Sequence, residues 1–379
     1  MNDEGHEGMI AIIGGGVFGL SIGWYLARSG QAVTIFERGQ VGRGATWAAA
    51  GMLMPWKLSD SFSDDLFALQ RDSHQRWPRF AQELSAISDV PLHYQTDGRF
   101  FVALFDNAVQ RLERQYRFHR DLGFPVEWLT GDEAREREPN LGPNILAAIF
   151  TPMAHHVDNR NLVLALRDAF LAAGGHLREQ TEVQELLIAH GRVQGLRLPG
   201  ETCPAETVII AAGAWSGQLP GLPQPLQGAV RPRKGQTLIL QMPPDAPLIK
   251  QPILGPVYLV PRPDGRLIIG TTVEREAGFD ARPTAGGVFH ILRKAQEMVP
   301  KIENLPIIEL GAGLRPTGPD RLPVIGPTGV EGLIIATGGH SYGILLSPAV
   351  AYAVSQLALT GHIQELIRPF VPKSGNDEI

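Results

Sequence analysis

Residues 9–37 read MIAIIGGGVFGLSIGWYLARSGQAVTIFE, and this stretch decides the fold. An apolar run, Ile10 to Ile13, leads into Gly14-Gly15-Gly16-Val17-Phe18-Gly19, which fits G-x-G-x-x-G. Ile22, Tyr25 and Leu26 then recur at helical spacing, and Ala32 to Phe36 forms a second apolar run that ends at Glu37. That is the order of a βαβ unit. Its glycines have separate jobs: a tight turn, room for a pyrophosphate against the backbone, and close helix–strand packing at Gly19. The helix N-terminus faces the phosphates with free N–H groups and the positive end of its dipole. Glu37 lies about twenty residues on, where a carboxylate accepts the hydrogen bonds of a ribose diol and repels a 2′-phosphate. A glycine turn alone is weak; strand, helix, strand and acid in register predict dinucleotide binding, with NADP disfavoured.

Working outward, 379 residues allow two domains with substantial cores. Hydrophobic residues at 44% and charged residues at 19% suit a folded enzyme, and 43 glycines with 30 prolines imply many turns. A net charge of -5 offers no basic face for nucleic acid or anionic lipid. One cysteine, Cys203, excludes an internal disulfide, and in an expected loop its thiol is read as inert. The first residues, MNDEGHEG, lack the basic and apolar regions of a secretion signal. No apolar run reaches the length of about eighteen residues that a membrane span requires, so a cytoplasmic protein is expected.

Along the chain, the small-residue run Gly44 to Leu53 reads as a place where backbone amides approach a large planar ligand, against the plain alternative of a packed helix. Helices are expected over Asp64–Ile87, kinked or interrupted by Pro78, and over Asn107–Leu122, with a strand near Gly98–Phe105 between them. Thr130-Gly131-Asp132-Glu133 is a capping box. His155 and His156 have no clustered partner for a metal. Asp158 or Asn159 caps a helix through Ala173, and from His176 the period becomes that of strands. Strands are read at 182–189, 193–198 and 207–211, then across 224–251 and 257–272, with a helix at 285–298. The predicted nucleotide domain is thus assembled from three segments, 1–86, 156–223 and 312–379, and a substrate domain from 87–155 and 224–311.

With these pieces in place, the sequence resembles the D-amino-acid-oxidase-like flavoproteins, and among them the glycine oxidases of the thiamin-biosynthesis type. The markers are IIGGGVFGLSIGWYLARSG, ATWAAAGML at 45–53, VIIAAGAWS at 208–216, GFDARPTAGGV at 278–288, GLRPTGPDRLPVIGP at 313–327 and GHSYGILLSPA at 339–349. The resemblance implies an α/β fold: a Rossmann-like FAD-binding domain of glutathione-reductase type with an inserted antiparallel-sheet (α+β) substrate domain. It implies FAD, held at Gly14, Gly16, Val17, Phe18, Gly19, Glu37, Arg38, Ala45, Thr46, Ala50, Gly51, Met52 and Val183. The last FAD segment is Gly339, His340, Ser341, Gly343, Ile344 and Leu345, at a helix N-terminus that can stabilise negative charge on reduced flavin.

For substrate, the resemblance implies a small amino acid or N-substituted glycine. Its carboxylate would be gripped by Arg315 and Tyr258. The implied reaction oxidises the Cα–N bond by hydride transfer to flavin, giving an imine, then a 2-oxo acid and ammonia or amine, with oxygen reduced to peroxide. The rival is a D-amino-acid dehydrogenase or oxidase acting on larger substrates with another electron acceptor. A homo-oligomer is compatible with the sequence, and nucleic-acid or membrane partners are not expected. One departure bears on specificity. Relatives of this type carry Gly-His-Tyr/Phe-Arg-Asn-Gly-Ile-Leu-Leu before the last helix; here Gly339-His340-Ser341-Tyr342-Gly343-Ile344-Leu345-Leu346 is one residue shorter and lacks that Arg. Tyr342 is the expected replacement, as an aromatic wall or hydroxyl facing substrate.

Overall fold

The glycine cluster sits at the carboxyl end of a central strand, Ile10–Ile13, in a six-stranded sheet. The computed structural model describes residues 8–57 and 62–373; the polar segment 1–7, read above for a signal sequence, lies outside them. Strand order is Val324–Pro327, Leu333–Thr337, Thr207–Ile210, Ile10–Ile13, Val33–Phe36, His176–Arg178. All neighbours pair in parallel except Val324–Pro327, which is antiparallel to Leu333–Thr337. The chain leaves Ile13 on one side through helix Val17–Ala27 to Val33, while Thr207–Ile210 flanks the other side. This is the topological switch point at which open α/β sheets bind ligands.

Alternation along the strands sends side chains to two cores. Ile10, Ile12, Val33 and Ile35 pack under helices Val17–Ala27, Asp64–Ser85, Asn159–Ala172 and Gly343–Thr360. Ala11, Ile13, Phe36, Val208 and Ile210 face a three-stranded antiparallel sheet of 185–189, 192–198 and 201–204. The strand Glu201–Pro204 stands where the sequence predicts a loop. It makes Cys203 a core residue, 9% exposed, and burial pushes the thiol pKa up.

Helix Asp64–Ser85 continues through Pro78 without interruption, with Trp77 and Phe80 buried on either side of the ring. Its Ser73 and Trp77 both donate to the Leu345 carbonyl, at 2.6 and 2.9 Å. Pro348 lies in the following turn of the last helix and has no N–H to give Ile344; Ser347 Oγ donates to that carbonyl instead, at 2.9 Å. Among the described residues, Gly343–Thr360 is the one helix long and apolar enough to cross a membrane, and two thirds of it (67%) is buried inside the protein.

A second, eight-stranded sheet runs in the order Ile307–Thr317, Arg231–Gln241, Arg266–Gly270, Tyr258–Pro261, Ile253–Leu254, Arg99–Ala103, Ala147–Thr151, Glu127–Thr130. One face, with Phe100, Leu238, Leu259 and Ile269, is sealed by helix Ala285–Met298. The opposite face carries Tyr258 and, through the pairing of Arg233 with Arg315 in the two long strands, Arg315. The six-stranded sheet presents its carboxyl ends toward this second face.

Candidate functional site

A cavity of about 650 Å³ lies between the two sheets. The turn that begins it is built by steric necessity. A Cβ on Gly14, at φ 105°, would stand 2.5 Å from the Ala211 carbonyl oxygen, and one on Gly19 would stand 1.9 Å from that of Gly14. A Cβ on Gly16 would meet nothing nearer than Thr46 Oγ1, at 3.7 Å. Gly14 and Gly19 therefore serve the chain itself, whereas the space beside Gly16 is open to the cavity. Helix Val17–Ala27 has no side chain of its own capping its start; Thr46 Oγ1 accepts from Val17 N–H at 3.2 Å.

At one end Glu37 is oriented by two backbone amides, Gly15 N–H to Oε2 and Gly39 N–H to Oε1, both 2.9 Å. Arg38 stacks its guanidinium 3.8 Å from the centre of the Trp215 ring. Val183 lines this end, and its backbone has no hydrogen bond among the described residues.

The small-residue run is not a helix: residues 41–48 form successive turns, and Met52–Leu53 forms a short strand against His155–His156. Two buried side chains fix this run. Asn159 Nδ2 donates to the carbonyls of Thr46 and Trp47, at 2.8 and 3.0 Å, and Arg262 Nη2 donates to Ala50 O at 2.8 Å. Arg262 and Arg266 are in turn paired with Asp158, which is fully buried and caps helix Asn159–Ala172. Their charges hold the Asp158 carboxyl below its usual range against the cost of burial. His156 Nδ1 accepts from Arg262 and His155 Nδ1 bonds Tyr94, so both histidines serve the scaffold.

At the other end lie Tyr258, Thr271, Arg315 and His340. Arg315 reaches over Gly235, where a Cβ would come within 2.3 Å of its Nη2, and donates to Thr271 Oγ1 at 2.8 Å. Tyr258 lies over Gly270 in the same way and shares the Thr271 hydroxyl. Among the described residues no carboxylate pairs with Arg315, and burial pulls its pKa down. Burial also raises the Tyr258 pKa, so the phenol remains a donor. His340, at φ 46°, is lowered to about 4 by burial and by Arg315, Arg233 and Arg321, and is neutral at pH 7.

Of the residues expected from sequence, Gly14, Gly16, Val17, Phe18, Glu37, Arg38, Ala45, Thr46, Ala50, Gly51, Met52, Val183, Tyr258, Arg315, Gly339, His340, Ser341, Gly343 and Ile344 line this one cavity. Gly19, Leu345 and Tyr342 do not. Gly19 packs helix on strand. Leu345 is 1% exposed, with its carbonyl committed to Ser73 and Trp77. Tyr342 departs most from expectation: its ring turns away toward Gln70, Arg99 and Phe62, whose ring centre is 6.2 Å away, and packs on the core. Sequence reading does not single out Thr271, Asn159 or Arg262 for the site, because their partners lie up to 212 positions away in the chain.

Residues 9–357 match the FAD dependent oxidoreductase (DAO) family. The chain is 37% identical over 357 residues to the glycine oxidase of Geobacillus kaustophilus, covering 93% of each. It is 31% identical over 367 residues to the bifunctional protein ThiO/ThiG of a Nostoc species, covering 95% of this chain and 54% of that one. The crystal structure of glycine oxidase from Geobacillus kaustophilus superposes with a TM-score of 0.89 at 34% identity, over 96% of this chain and 98% of that one.

Proposed function

The chain belongs to the FAD dependent oxidoreductase family, of glycine oxidase type, and from that premise we propose that it oxidises the Cα–N bond of a small amino acid or N-substituted glycine. The observation that carries this reading is the Arg315–Thr271–Tyr258 group, which has cationic and hydroxyl donors and no acid of its own. FAD fits the rest of the cavity: Gly16 leaves a cradle that a single methyl would fill, and Glu37 is aimed for a ribose diol. Residues 14–18 would hold its pyrophosphate, Glu37, Arg38 and Val183 its adenosine, and 45–52 with 339–344 its flavin. The chemistry that FAD supplies there is acceptance of two electrons.

The protein's own part is to bind and orient. Arg315 offers two parallel N–H bonds to the substrate carboxylate, and Tyr258 adds a third donor. Thr271 Oγ1 accepts from Arg315, so the fork is set before substrate arrives and less ordering is required on binding. Among the described residues no carboxylate lines this end of the cavity, and His340 is held neutral there. The amine therefore enters already deprotonated, and activity rises with pH as that form is populated. In this proposal the product imine is hydrolysed to a 2-oxo acid, glyoxylate from glycine, with release of ammonia or amine, and oxygen is the final acceptor, giving hydrogen peroxide. A place in thiamin synthesis, suggested by the ThiO/ThiG relative, belongs to the same proposal.

The test is anaerobic mixing of the FAD-loaded protein with glycine, sarcosine, D-alanine, D-proline and larger D-amino acids, followed by air. Flavin bleaching by glycine or sarcosine with rapid recovery and peroxide supports the reading. Bleaching only by larger substrates, or recovery only with a quinone or dye, would replace it with a D-amino-acid dehydrogenase. A flavin that none of them bleaches would overturn the substrate class.

A further inference from the structure

The eight-stranded sheet extends its open face beyond Tyr258. Leu254 pairs with Tyr258 on one side and with Phe101 on the other, which places all three on the same face. Arg99, two residues before Phe101 in its strand, projects from that face too, and its guanidinium carbon lies 4.5 Å from the Phe101 ring centre. The side chain is only 6% exposed. Its Nε is buried without a partner, and no carboxylate among the described residues pairs with it.

The groups that face Arg99 among the described residues are neutral. Tyr342 comes from the start of the last helix, Gln70 and His74 from helix Asp64–Ser85, and His119 from helix Asp106–Asp121. His119 donates from Nδ1 to Gln115 O and accepts at Nε2 from Lys57 N–H, the pattern of an uncharged imidazole. Two more buried donors here have no partner among the described residues: Trp56 Nε1 and the hydroxyl of Thr151, the residue directly across from Arg99. A buried cation left uncompensated is strongly destabilising. A buried cation beside other buried donors, with no carboxylate to meet it among the described residues, describes a receptor for an anion.

We propose that Arg99 binds the second carboxylate of an imino diacid substrate whose first carboxylate is held by Arg315 and Tyr258. The proposal rests on the amino-acid-oxidase reading above. Tyr258 and Arg99 stand two strands apart, about 10 Å between strand axes, a gap that long side chains on one face close around a ligand with a carboxylate at each end. Tyr342 stands between them: its neighbours Ser341 and Gly343 line the cavity while its ring turns to Arg99. Substrates with a single carboxylate use only the Arg315–Tyr258 end; the selectivity step is made at Arg99.

The experiment uses the FAD-loaded enzyme and two ligands that cannot be oxidised at nitrogen, thiodiacetate and (methylthio)acetate, titrated by perturbation of the flavin spectrum. A buried charge-assisted pair is worth roughly 10- to 100-fold in affinity. Thiodiacetate is therefore expected to bind at least about 10-fold more tightly than (methylthio)acetate, and Arg99→Met to abolish that preference. In turnover, the ratio of KM values for sarcosine and iminodiacetate should collapse in the same variant. Equal affinity of the two ligands in the native protein overturns the proposal, as does an equal loss of both in Arg99→Met, which would mark Arg99 as structural. Should Arg99→Met fail to fold, the native-protein comparison decides alone. Should no amine bleach the flavin, the oxidase reading falls, while the thiodiacetate comparison still decides the role of Arg99.

Discussion

Gly16 and Gly19 lie three positions apart in the same turn, and the structure predicts opposite consequences for adding one methyl to each. At Gly16 the backbone is extended, φ −77° and ψ −176°, which alanine adopts freely, and the new Cβ meets only Thr46 Oγ1 at 3.7 Å, an ordinary contact. The apoprotein should lose about 1 kcal/mol or less, the cost of replacing glycine by alanine at a helix N-cap. The methyl would occupy the space that the proposed function assigns to the pyrophosphate. Displacing it from one or two backbone donors removes charge-assisted bonds and costs about 2–4 kcal/mol, roughly 30- to 900-fold in FAD affinity. At Gly19 the methyl would lie 1.9 Å from the Gly14 carbonyl oxygen. No rotamer relieves a backbone–backbone clash, so the apoprotein itself should lose about 3 kcal/mol or more. The assay is a thermal melt of each apoprotein beside an FAD titration followed by flavin fluorescence. Native-like FAD affinity in Gly16→Ala, or an apoprotein melt as damaged as that of Gly19→Ala, would refute the division of labour.

Arg315→Ala should raise KM for the best amino acid by about 100-fold or more, the value of a two-pronged charged pair, with FAD content unchanged; an unaltered KM sinks the clamp. Asp158→Asn keeps the cap that accepts from Arg160 and Asn161 N–H but removes the countercharge of the buried Arg262. A loss of about 3–5 kcal/mol in urea unfolding is expected, and a loss under about 1 kcal/mol would show that the pair is dispensable. Stability should also fall on acidification. His119 is 0% exposed and is held down to about 4 by burial, so below the unfolded value of about 6.5 the unfolded chain binds a proton that the native state refuses. The loss runs from about pH 6.5 to about pH 4 and amounts to about 3 kcal/mol at most for this residue; an unfolding free energy flat across that window in His119→Gln as in the native protein would contradict it.

What the sequence reveals follows from how local each constraint is. Gly14 is dictated by its own φ of 105° and Gly19 by the Gly14 carbonyl in the same segment, so the nucleotide end is legible from 29 consecutive residues. Helix Ala285–Met298 and strand Leu333–Thr337 are legible for the same reason: the first is a run of helical period and the second an unbroken apolar run, each with its own punctuation. Pro78 misleads because its cost is local while its compensation is not; buried Trp77 and Phe80 keep the helix intact across it. Glu201–Pro204 escapes notice because four residues after a Pro-Gly turn carry no strand period.

The polar framework lies wholly out of reach, since Asp158 meets Arg266 across 108 positions and Arg262 meets Ala50 across 212. The same limit explains Tyr342. Composition of the shortened 339–346 loop suggests that Tyr342 replaces a missing arginine by facing substrate, whereas packing turns it inward onto Gln70 and Phe62. The Tyr342 ring meets the positive charge of Arg99, a residue that sequence reading has no reason to associate with the loop. Only the register of Leu254 between Tyr258 and Phe101 brings Arg99 onto the face that Tyr258 occupies. With Arg99 in the proposed role, substrate range becomes a property of sheet pairing as much as of the loop, and exchanging the loop alone should leave any preference created at Arg99 in place.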